Sequence, residues 1–234
     1  MKTNISTNPK QEAGECVSQI LLTHNEQPIL FLLSGGSALS VLECIQPQAL
    51  GANLTVVMMD ERFTDDTQGN NFLQLQNTSF FTTAKAAGVE IIESTKNEGE
   101  RHEQFAERIS TAVDTYLRVH TDAFVVGLFG IGEDGHTASI FPTTEQDFIV
   151  AYSSDNSYIA ITRPQEKYPF RISITPTFIE EKISEVVLYA VGSKKCDNIL
   201  SYMHTKNFGA HEIPALIPAR HPESTLFTDC EALI

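Results

Sequence analysis

Residues 123–142 read Ala-Phe-Val-Val-Gly-Leu-Phe-Gly-Ile-Gly-Glu-Asp-Gly-His-Thr-Ala-Ser-Ile-Phe-Pro, an apolar run followed directly by a glycine-rich turn. The run from Ala123 to Phe129 has the composition of a buried strand. Within the turn, His136 stands two residues after Asp134. Glycines let the backbone approach a ligand closely, and an aspartate can fix the orientation of a histidine that acts as a general base. The stretch therefore predicts a central strand that ends in a catalytic loop.

The same turn, residues 130–135, also matches the Gly-x-Gly-x-x-Gly fingerprint of dinucleotide sites, and Asp155 stands near the position of the ribose-binding acid. A dinucleotide site needs a long helix that begins at the last glycine, but Pro142 interrupts such a helix soon after its start. The two acidic side chains in the turn would also repel phosphates. The sequence therefore argues against a dinucleotide. A turn histidine that only makes local hydrogen bonds stays an open alternative.

Apolar periodicity predicts alternating helices and strands along the chain. Helical spacing marks residues 13–21, 38–45 and 105–116 and a late helix through Ile199 and Tyr202, and extended runs mark strands at 29–33, 54–59, 123–129, 157–162, 172–175 and 186–191. This order is typical of a mostly parallel sheet with helices on both faces. We predict an α/β fold, a three-layer, Rossmann-like, open and mostly parallel sheet, in a single domain over residues 1–234.

Length and composition suit one large core, because the chain has 234 residues of which 41% are hydrophobic and 20% are charged. No apolar run approaches the roughly 20 residues of a membrane span, and the N-terminal residues lack the apolar core of a signal peptide. We therefore expect a cytoplasmic protein without a membrane partner. The sequence does not distinguish a monomer from a weak homodimer.

The cysteines stand at positions 16, 44, 196 and 230, without any Cys-x-x-Cys spacing. This scatter favours neither a metal cluster nor a disulfide framework. The sequence therefore predicts reduced, mostly buried thiols and no bound metal.

The formal net charge is −14, from 16 basic and 30 acidic residues, and it argues against nucleic acid or an anionic membrane as a partner. A small anionic substrate stays possible. Salt screens distant charges over about 8 Å, so a few basic side chains in a cleft can dominate the local field.

Three polar turns follow predicted strands, at residues 34–37, 60–62 and 130–136. In open α/β sheets, ligands bind at this carboxyl edge. The first turn, Ser34-Gly35-Gly36-Ser37, offers backbone N–H groups and two hydroxyls at a predicted helix start, and is a candidate phosphate site. It lacks the Gly-Lys-[Ser/Thr] of a Walker loop and the Gly-x-Ser-x-Gly of a nucleophile elbow. Such a turn is by itself a weak signal, because most have no ligand.

Charged residues mark the other strand ends. The triplet Asp60-Glu61-Arg62 follows a predicted strand, and three consecutive charges there are expected to face solvent or a cleft. Arg171 begins a later strand, and Lys195 stands at a predicted helix start. An arginine for bidentate contact and a lysine as a point charge often share a phosphate site. Taken singly, each is more typical of a solvated surface.

Seven motifs in order cover nearly the whole chain: Leu33-Ser-Gly-Gly-Ser37, Met59-Asp-Glu-Arg62, Asn70-Asn71, Gly130-x-Gly-x-Asp-Gly-His-Thr-Ala-Ser-x-Phe-Pro142, Arg171-Ile-Ser-Ile-Thr175, Gly192-x-x-Lys195 and Ile213-Pro-Ala-Leu-Ile217. Together they resemble the 6-phosphogluconolactonases of the glucosamine-6-phosphate isomerase/deaminase superfamily. The central motif is highly specific, and the others are modest alone. Two departures, Thr64-Asp65 for Val-Pro and Asn70-Asn71 for Ser-Asn, leave the shape of that loop open.

The resemblance implies hydrolysis of 6-phospho-D-glucono-1,5-lactone to 6-phosphogluconate in the oxidative pentose phosphate pathway, without metal or organic cofactor. It implies that His136 is the general base and Asp134 its orienting partner, with Arg62 or loop N–H groups at the developing oxyanion of the lactone carbonyl. It places the 6-phosphate beside the Gly-Gly-Ser turn. The candidate substrate-binding residues are Ser34, Gly35, Gly36, Ser37, Asp60, Arg171 and Lys195.

This chemistry needs few groups, because a δ-lactone is already an activated ester. A base-activated water, a donor for the developing oxyanion and a phosphate anchor suffice, and no nucleophilic serine or cysteine is required.

Two alternatives come from other classes. The sister deaminases carry Asn-Glu-Pro where this chain has Ile140-Phe141-Pro142, and phenylalanine cannot shuttle protons for amino-sugar ring opening. Phe141 therefore favours hydrolysis, unless it is only a core residue and the acid is Glu133 or Glu145. A non-catalytic sugar-phosphate sensor would need an attached DNA-binding or partner domain, for which this acidic chain is expected to leave no room.

Overall fold

The computed structural model describes residues 1–196, 200, 203 and 208–231, and its main feature is a seven-stranded sheet. The strands of this sheet are β1 (Lys2–Ile5), β2 (Ile29–Leu33), β3 (Leu54–Met58), β5 (Glu90–Ile92), β6 (Phe124–Gly130), β9 (Glu185–Tyr189) and β10 (Ser224–Thr228). Their order is β1-β10-β9-β6-β2-β3-β5, and every pairing is parallel. The predicted α/β class with a mostly parallel sheet is confirmed.

Helices surround this sheet. They are α1 (Pro9–Thr23), α2 (Asn71–Gln76), α3 (Ser79–Ala86), α4 (His102–Val119), α5 (Glu145–Tyr152), α6 (Pro176–Lys182), α7 (Ser193–Lys195) and α8 (Leu216–Ala219), with 3₁₀-helices at Gly36–Cys44 and Pro47–Ala49. The helices predicted at 13–21 and 105–116 are α1 and α4, and the helix predicted at 38–45 is a 3₁₀-helix. The late helix predicted through Ile199 and Tyr202 lies outside the described residues. None of the helices that the structure describes is long and apolar enough to cross a membrane.

Strand β2 shows how the core is divided between the two faces of the sheet. Its side chains alternate between faces, as the pleat of a strand requires. Leu30 and Leu32 join a buried cluster with α4, whereas Phe31 and Leu33 join a second cluster with α1. All five residues of β2 are buried, as expected for a central strand covered on both faces. The predicted layering, with helices on both faces, is confirmed.

The polar triplet at 60–62 and two of the predicted apolar strands form a second sheet instead of extending the first. The strands β4 (Asp60–Arg62), β8 (Phe170–Ile174) and β7 (Tyr158–Thr162) pair antiparallel in that order. The strands predicted at 157–162 and 172–175 are therefore present, but they pair antiparallel in this separate sheet. Apolar periodicity identifies a strand but not its partner, so it could not separate the two sheets.

The triplet at 60–62 is a strand of this second sheet and not a solvated strand end. Glu61 is fully buried, which contradicts the expectation that all three charges face solvent or a cleft. Its carboxylate accepts hydrogen bonds from the backbone N–H groups of Arg62, Asn71 and Phe72 at 2.6–2.8 Å. A buried carboxylate needs such donors, and here they fix the start of α2 against β4.

The cysteines differ from the prediction of reduced thiols. Cys196 and Cys230 form a disulfide with Cα atoms 5.3 Å apart, while Cys16 and Cys44 are free and partly buried. Strands β9 and β10 are neighbours, and each cysteine follows one of them at the carboxyl edge. The two meet through sheet order, which a separation of 34 residues in sequence does not reveal.

Candidate active site

A cleft with a volume of about 250 Å³ opens at the carboxyl edge of the adjacent strands β6, β2 and β3. It is lined by Ser34, Gly35, Gly36, Ser37, Asp60, Arg62, Asn71, Gly130, Ile131, Gly132, Glu133, His136, Thr137, Ala138, Ser139, Arg171 and Lys195. Apart from Asp134, every residue predicted for the site lies on this cleft. The three polar turns converge because their strands are neighbours in the sheet.

A second lobe of about 370 Å³ shares Arg62, Glu133, His136 and Arg171 with the first. Asp134, Phe141 and Glu166 complete its lining. Together the two lobes form one polar cleft with His136 and both arginines at their junction.

The histidine and the aspartate of the central motif form a pair. His136 Nδ1 lies 2.5 Å from Asp134 Oδ1, and the backbone N–H of His136 donates to the same oxygen at 3.1 Å. Partial burial tends to raise the pKa of Asp134, but the hydrogen bonds from His136 outweigh it and the net pKa is lowered. The aspartate is therefore held ionised beside the ring, which orients the imidazole and can stabilise its protonated form.

The ring of His136 is fixed from a second direction by Phe141. Their centroids are 4.8 Å apart with an interplanar angle of 30°, and Phe141 is 3% exposed. The guanidinium carbon of Arg171 lies 5.2 Å from the centroid of the same phenylalanine. Phe141 therefore contacts both His136 and Arg171, and is more than a distant core residue.

Backbone geometry explains the glycines of this loop. A Cβ on Gly132 would lie 2.2 Å from His136 Nδ1 and 2.8 Å from Asp134 Oδ1, so the pair requires glycine there. Gly135 has a φ of +86°. Ala138 and Ser139 also have positive φ values, 47° and 58°, which are costly for residues with a Cβ. The 2.7 Å hydrogen bond from Ser139 Oγ to Asp60 Oδ2 ties this strained stretch to β4.

The turn after β2 faces the histidine loop across the cleft. A Cβ on Gly35 would collide with the Asn71 side chain, and Gly36 has a φ of +64°. Lys195 Nζ lies 3.4 Å from Ser37 Oγ, which places a cation beside this turn. Burial lowers the pKa of Lys195, and the nearby carboxylates of Glu133 and Asp229 partly oppose the shift.

Ser34 is already engaged with the core, because its Oγ donates to the sulfur of Met59. The seryl hydroxyl at the cleft mouth is that of Ser37.

The two arginines lie side by side on adjacent strands of the second sheet. Arg62 and Arg171 are directly opposite in the β4–β8 register. Arg62 Nη1 donates to the carbonyl of Gly69 at 2.8 Å, and Arg171 Nε donates to the carbonyl of Tyr168 at 3.2 Å. Burial and the charge of Arg62 lower the pKa of Arg171. Like charges in opposite positions are destabilising, so a nearby anion would stabilise the pair.

Two features of the cleft were missed from sequence. Glu166 Oε2 lies 3.7 Å from Arg171 Nη2, and no local pattern signals that contact because the β7–β8 loop creates it. Tyr168 Oη donates to Asp66 Oδ2 at 2.5 Å and joins the two loops that hold the arginines. Within the described residues, no group of three or more His, Cys, Asp or Glu side chains could hold a metal ion.

Comparisons with known proteins give a consistent result. The chain matches the family model described as glucosamine-6-phosphate isomerases/6-phosphogluconolactonase over residues 8–227. A curated 6-phosphogluconolactonase of Borreliella burgdorferi is 27% identical over 177 residues, which are 74% of this chain and 70% of the relative.

Solved structures share the fold. A 6-phosphogluconolactonase from Shewanella baltica has a TM-score of 0.75 at 18% identity, covering 97% of this chain and 95% of its own. The structure of 6-phosphogluconolactonase from Trypanosoma brucei also has a TM-score of 0.75, at 16% identity, covering 100% of this chain and 98% of its own. At such identities the likeness establishes the fold alone.

Proposed function

The chain belongs to the glucosamine-6-phosphate isomerase/6-phosphogluconolactonase family, and from this premise we propose that it hydrolyses 6-phospho-D-glucono-1,5-lactone to 6-phosphogluconate, a step of the oxidative pentose phosphate pathway. The observation that carries the proposal is the 2.5 Å pair of Asp134 and His136 beside a cleft that also holds two arginines and a lysine. A general base next to an anion site is what a phosphorylated lactone requires. The curated relative from Borreliella burgdorferi is named 6-phosphogluconolactonase, which supports this proposal.

In this mechanism His136 acts on water. Asp134 occupies Nδ1, so Nε2 accepts a proton from water as the water oxygen attacks C1 of the lactone. The carbonyl π electrons move to oxygen, and the guanidinium of Arg62, which lines both lobes of the cleft, stabilises that charge. When the oxyanion collapses, the bond from C1 to the ring oxygen breaks. The imidazolium returns its proton to that oxygen, which leaves as the C5 hydroxyl.

The other cleft residues hold the substrate. We assign the phosphate to Arg171, Lys195 and the N–H groups of the Gly35-Gly36 turn, supported by Ser37 at the cleft mouth. Asp60 keeps one carboxylate oxygen on Ser139, and we assign the other to a sugar hydroxyl. Cytoplasmic location stays a prediction.

The glycine requirement of the histidine loop gives a test of this assignment. Gly132→Ala is expected to lower kcat by about tenfold or more, because its Cβ would displace the ring of His136 or the carboxylate of Asp134. Steady-state kinetics with the lactone measure the effect. Gly51→Ala is the matched control, since it adds the same methyl group outside both lobes of the cleft, where the nearest atom would be the Asn53 side-chain oxygen at 3.0 Å. Equal activity of the two variants would contradict the placement of the base.

The deaminase alternative turns on the residue before Pro142. Phe141 is buried against His136, and Glu145 lines neither lobe of the cleft, which leaves Glu133 as a possible acid. Glu133 instead lies 3.7 Å from Lys194 and is more than half exposed. An exposed carboxylate that contacts a lysine is poorly placed to act as the acid of amino-sugar ring opening, so hydrolysis is favoured.

A coupled assay separates these functions. Glucose-6-phosphate dehydrogenase generates the lactone, and its decay is followed with and without this protein against the spontaneous rate. Parallel samples receive glucosamine-6-phosphate, and ammonia is measured. We expect rapid lactone loss and background ammonia. Ammonia release at a rate comparable to that of lactone loss would contradict the lactonase assignment. Ligand binding without turnover of either compound would favour a sensor.

A further inference from the structure

Glu166 is the carboxylate of the cleft that forms an ion pair with Arg171, whose positive charge a phosphate ligand needs. It lies on the β7–β8 loop, 3.7 Å from Arg171 Nη2, and its side chain is 36% exposed whereas that of Arg171 is 9% exposed. It lines the lobe that contains His136. A carboxylate at this position reduces the positive field that would attract a phosphate.

Arg171 itself is held by contacts that do not involve Glu166. Its Nε donates to the carbonyl of Tyr168, and its guanidinium packs over Phe141. The loop that carries Glu166 is anchored by the hydrogen bond from Tyr168 to Asp66. The arginine is thus supported from the backbone and an aromatic ring, and Glu166 is not needed to position it.

The contact between Glu166 and Arg171 is also weak enough for another anion to replace the carboxylate. At 3.7 Å it is longer than a charge-assisted hydrogen bond, and its carboxylate reaches solvent. A long ion pair with one partly exposed partner contributes little to stability, so the Glu166 side chain can leave at small cost. A dianionic phosphate would bind the same guanidinium edge more strongly.

We propose that Glu166 is an internal competitor of the substrate phosphate for Arg171. The carboxylate neutralises Arg171, which is paired with Arg62 on the neighbouring strand, and a phosphate engages Arg171 Nη2 as Glu166 gives up that contact. Competition lowers the affinity for every phosphorylated ligand, including the product, and so favours product release. The identity of the ligand in this role rests on the proposed function, whereas the anion site itself does not.

The test compares Glu166→Gln and Glu166→Ala with wild type, using titration with inorganic phosphate and with 6-phosphogluconate. We expect both variants to bind each ligand about fivefold more tightly, which corresponds to the loss of one weak competing ion pair. Product inhibition of lactone turnover should strengthen by the same factor. Glu180→Gln, an exposed carboxylate that lines neither lobe, removes the same charge and should leave the affinities unchanged.

A second comparison identifies Arg171 as the shared partner. Adding Glu166→Gln to Arg171→Met should give no gain in phosphate affinity over Arg171→Met alone. Unchanged or weaker phosphate binding by Glu166→Gln in the wild-type background would overturn the proposal, since it would mean that Glu166 supports Arg171. If the wild type lacks lactonase activity, the proposed function fails, but the phosphate titration still decides the role of Glu166.

Discussion

His136→Ala is expected to lower kcat for lactone hydrolysis about 10²- to 10⁴-fold, the usual contribution of a general base. Ligand binding should persist, because the phosphate contacts assigned to Arg171 and Lys195 do not involve the imidazole. The measurement is the coupled lactone assay after subtraction of the spontaneous rate, together with titration of 6-phosphogluconate. Stopped-flow mixing is needed, since the lactone decays without enzyme.

Two further variants make this result specific. Asp134→Asn keeps the shape of the side chain but removes its charge, and should lower kcat less than His136→Ala does. His120→Ala removes a histidine that packs on Tyr116 at the end of α4 and lines neither lobe, so its kcat should match wild type. A folded His136→Ala with wild-type kcat would refute the assignment of the base.

Arg171→Met is expected to weaken binding of phosphorylated ligand by about 2–5 kcal/mol, or roughly 30- to 4,000-fold in Kd. The side chain of Arg171 is 9% exposed, so its contact with an anion is largely desolvated. Methionine keeps the packing on Phe141 without the charge. Titration with 6-phosphogluconate measures the loss, and lactone kinetics should show it mainly in KM.

An unphosphorylated ligand provides the control for that prediction. D-glucono-1,5-lactone lacks the phosphate, so Arg171→Met should change its kcat/KM far less than that of the phosphorylated lactone. Lys195→Met should act in the same direction with a smaller effect, because this lysine lies at the cleft mouth beside Ser37. Equal losses for both lactones would remove the phosphate role of these residues.

Much of the central fold could be predicted because its signals are local. The apolar run before residue 130 is buried, and each polar turn follows a strand at one edge of the sheet. Ligand sites at that edge follow from the geometry of parallel sheets, so nine of the ten residues predicted for the site line one cavity, and Asp134 lines the adjoining lobe. Their roles stay predictions that the experiments above address.

The parts that could not be predicted depend on which segments meet. The sequence predicts Asp60–Arg62 as a strand end, because nothing local shows that it pairs with β8. The disulfide between Cys196 and Cys230 depends on the adjacency of β9 and β10. Glu166 reaches Arg171 through a loop whose course the sequence does not encode in any short motif. Long-range pairing is thus the missing information in each case.

The register that sets Arg62 against Arg171 also bears on how this protein could be engineered. A β-branched or aromatic pair at those positions would suit the two strands better than like charges do. Computational stabilisation would therefore tend to replace the arginines first, and we expect the more heat-resistant protein to bind phosphorylated ligands less tightly. Such local conflicts with foldability mark the positions at which we expect a redesign to lose ligand binding.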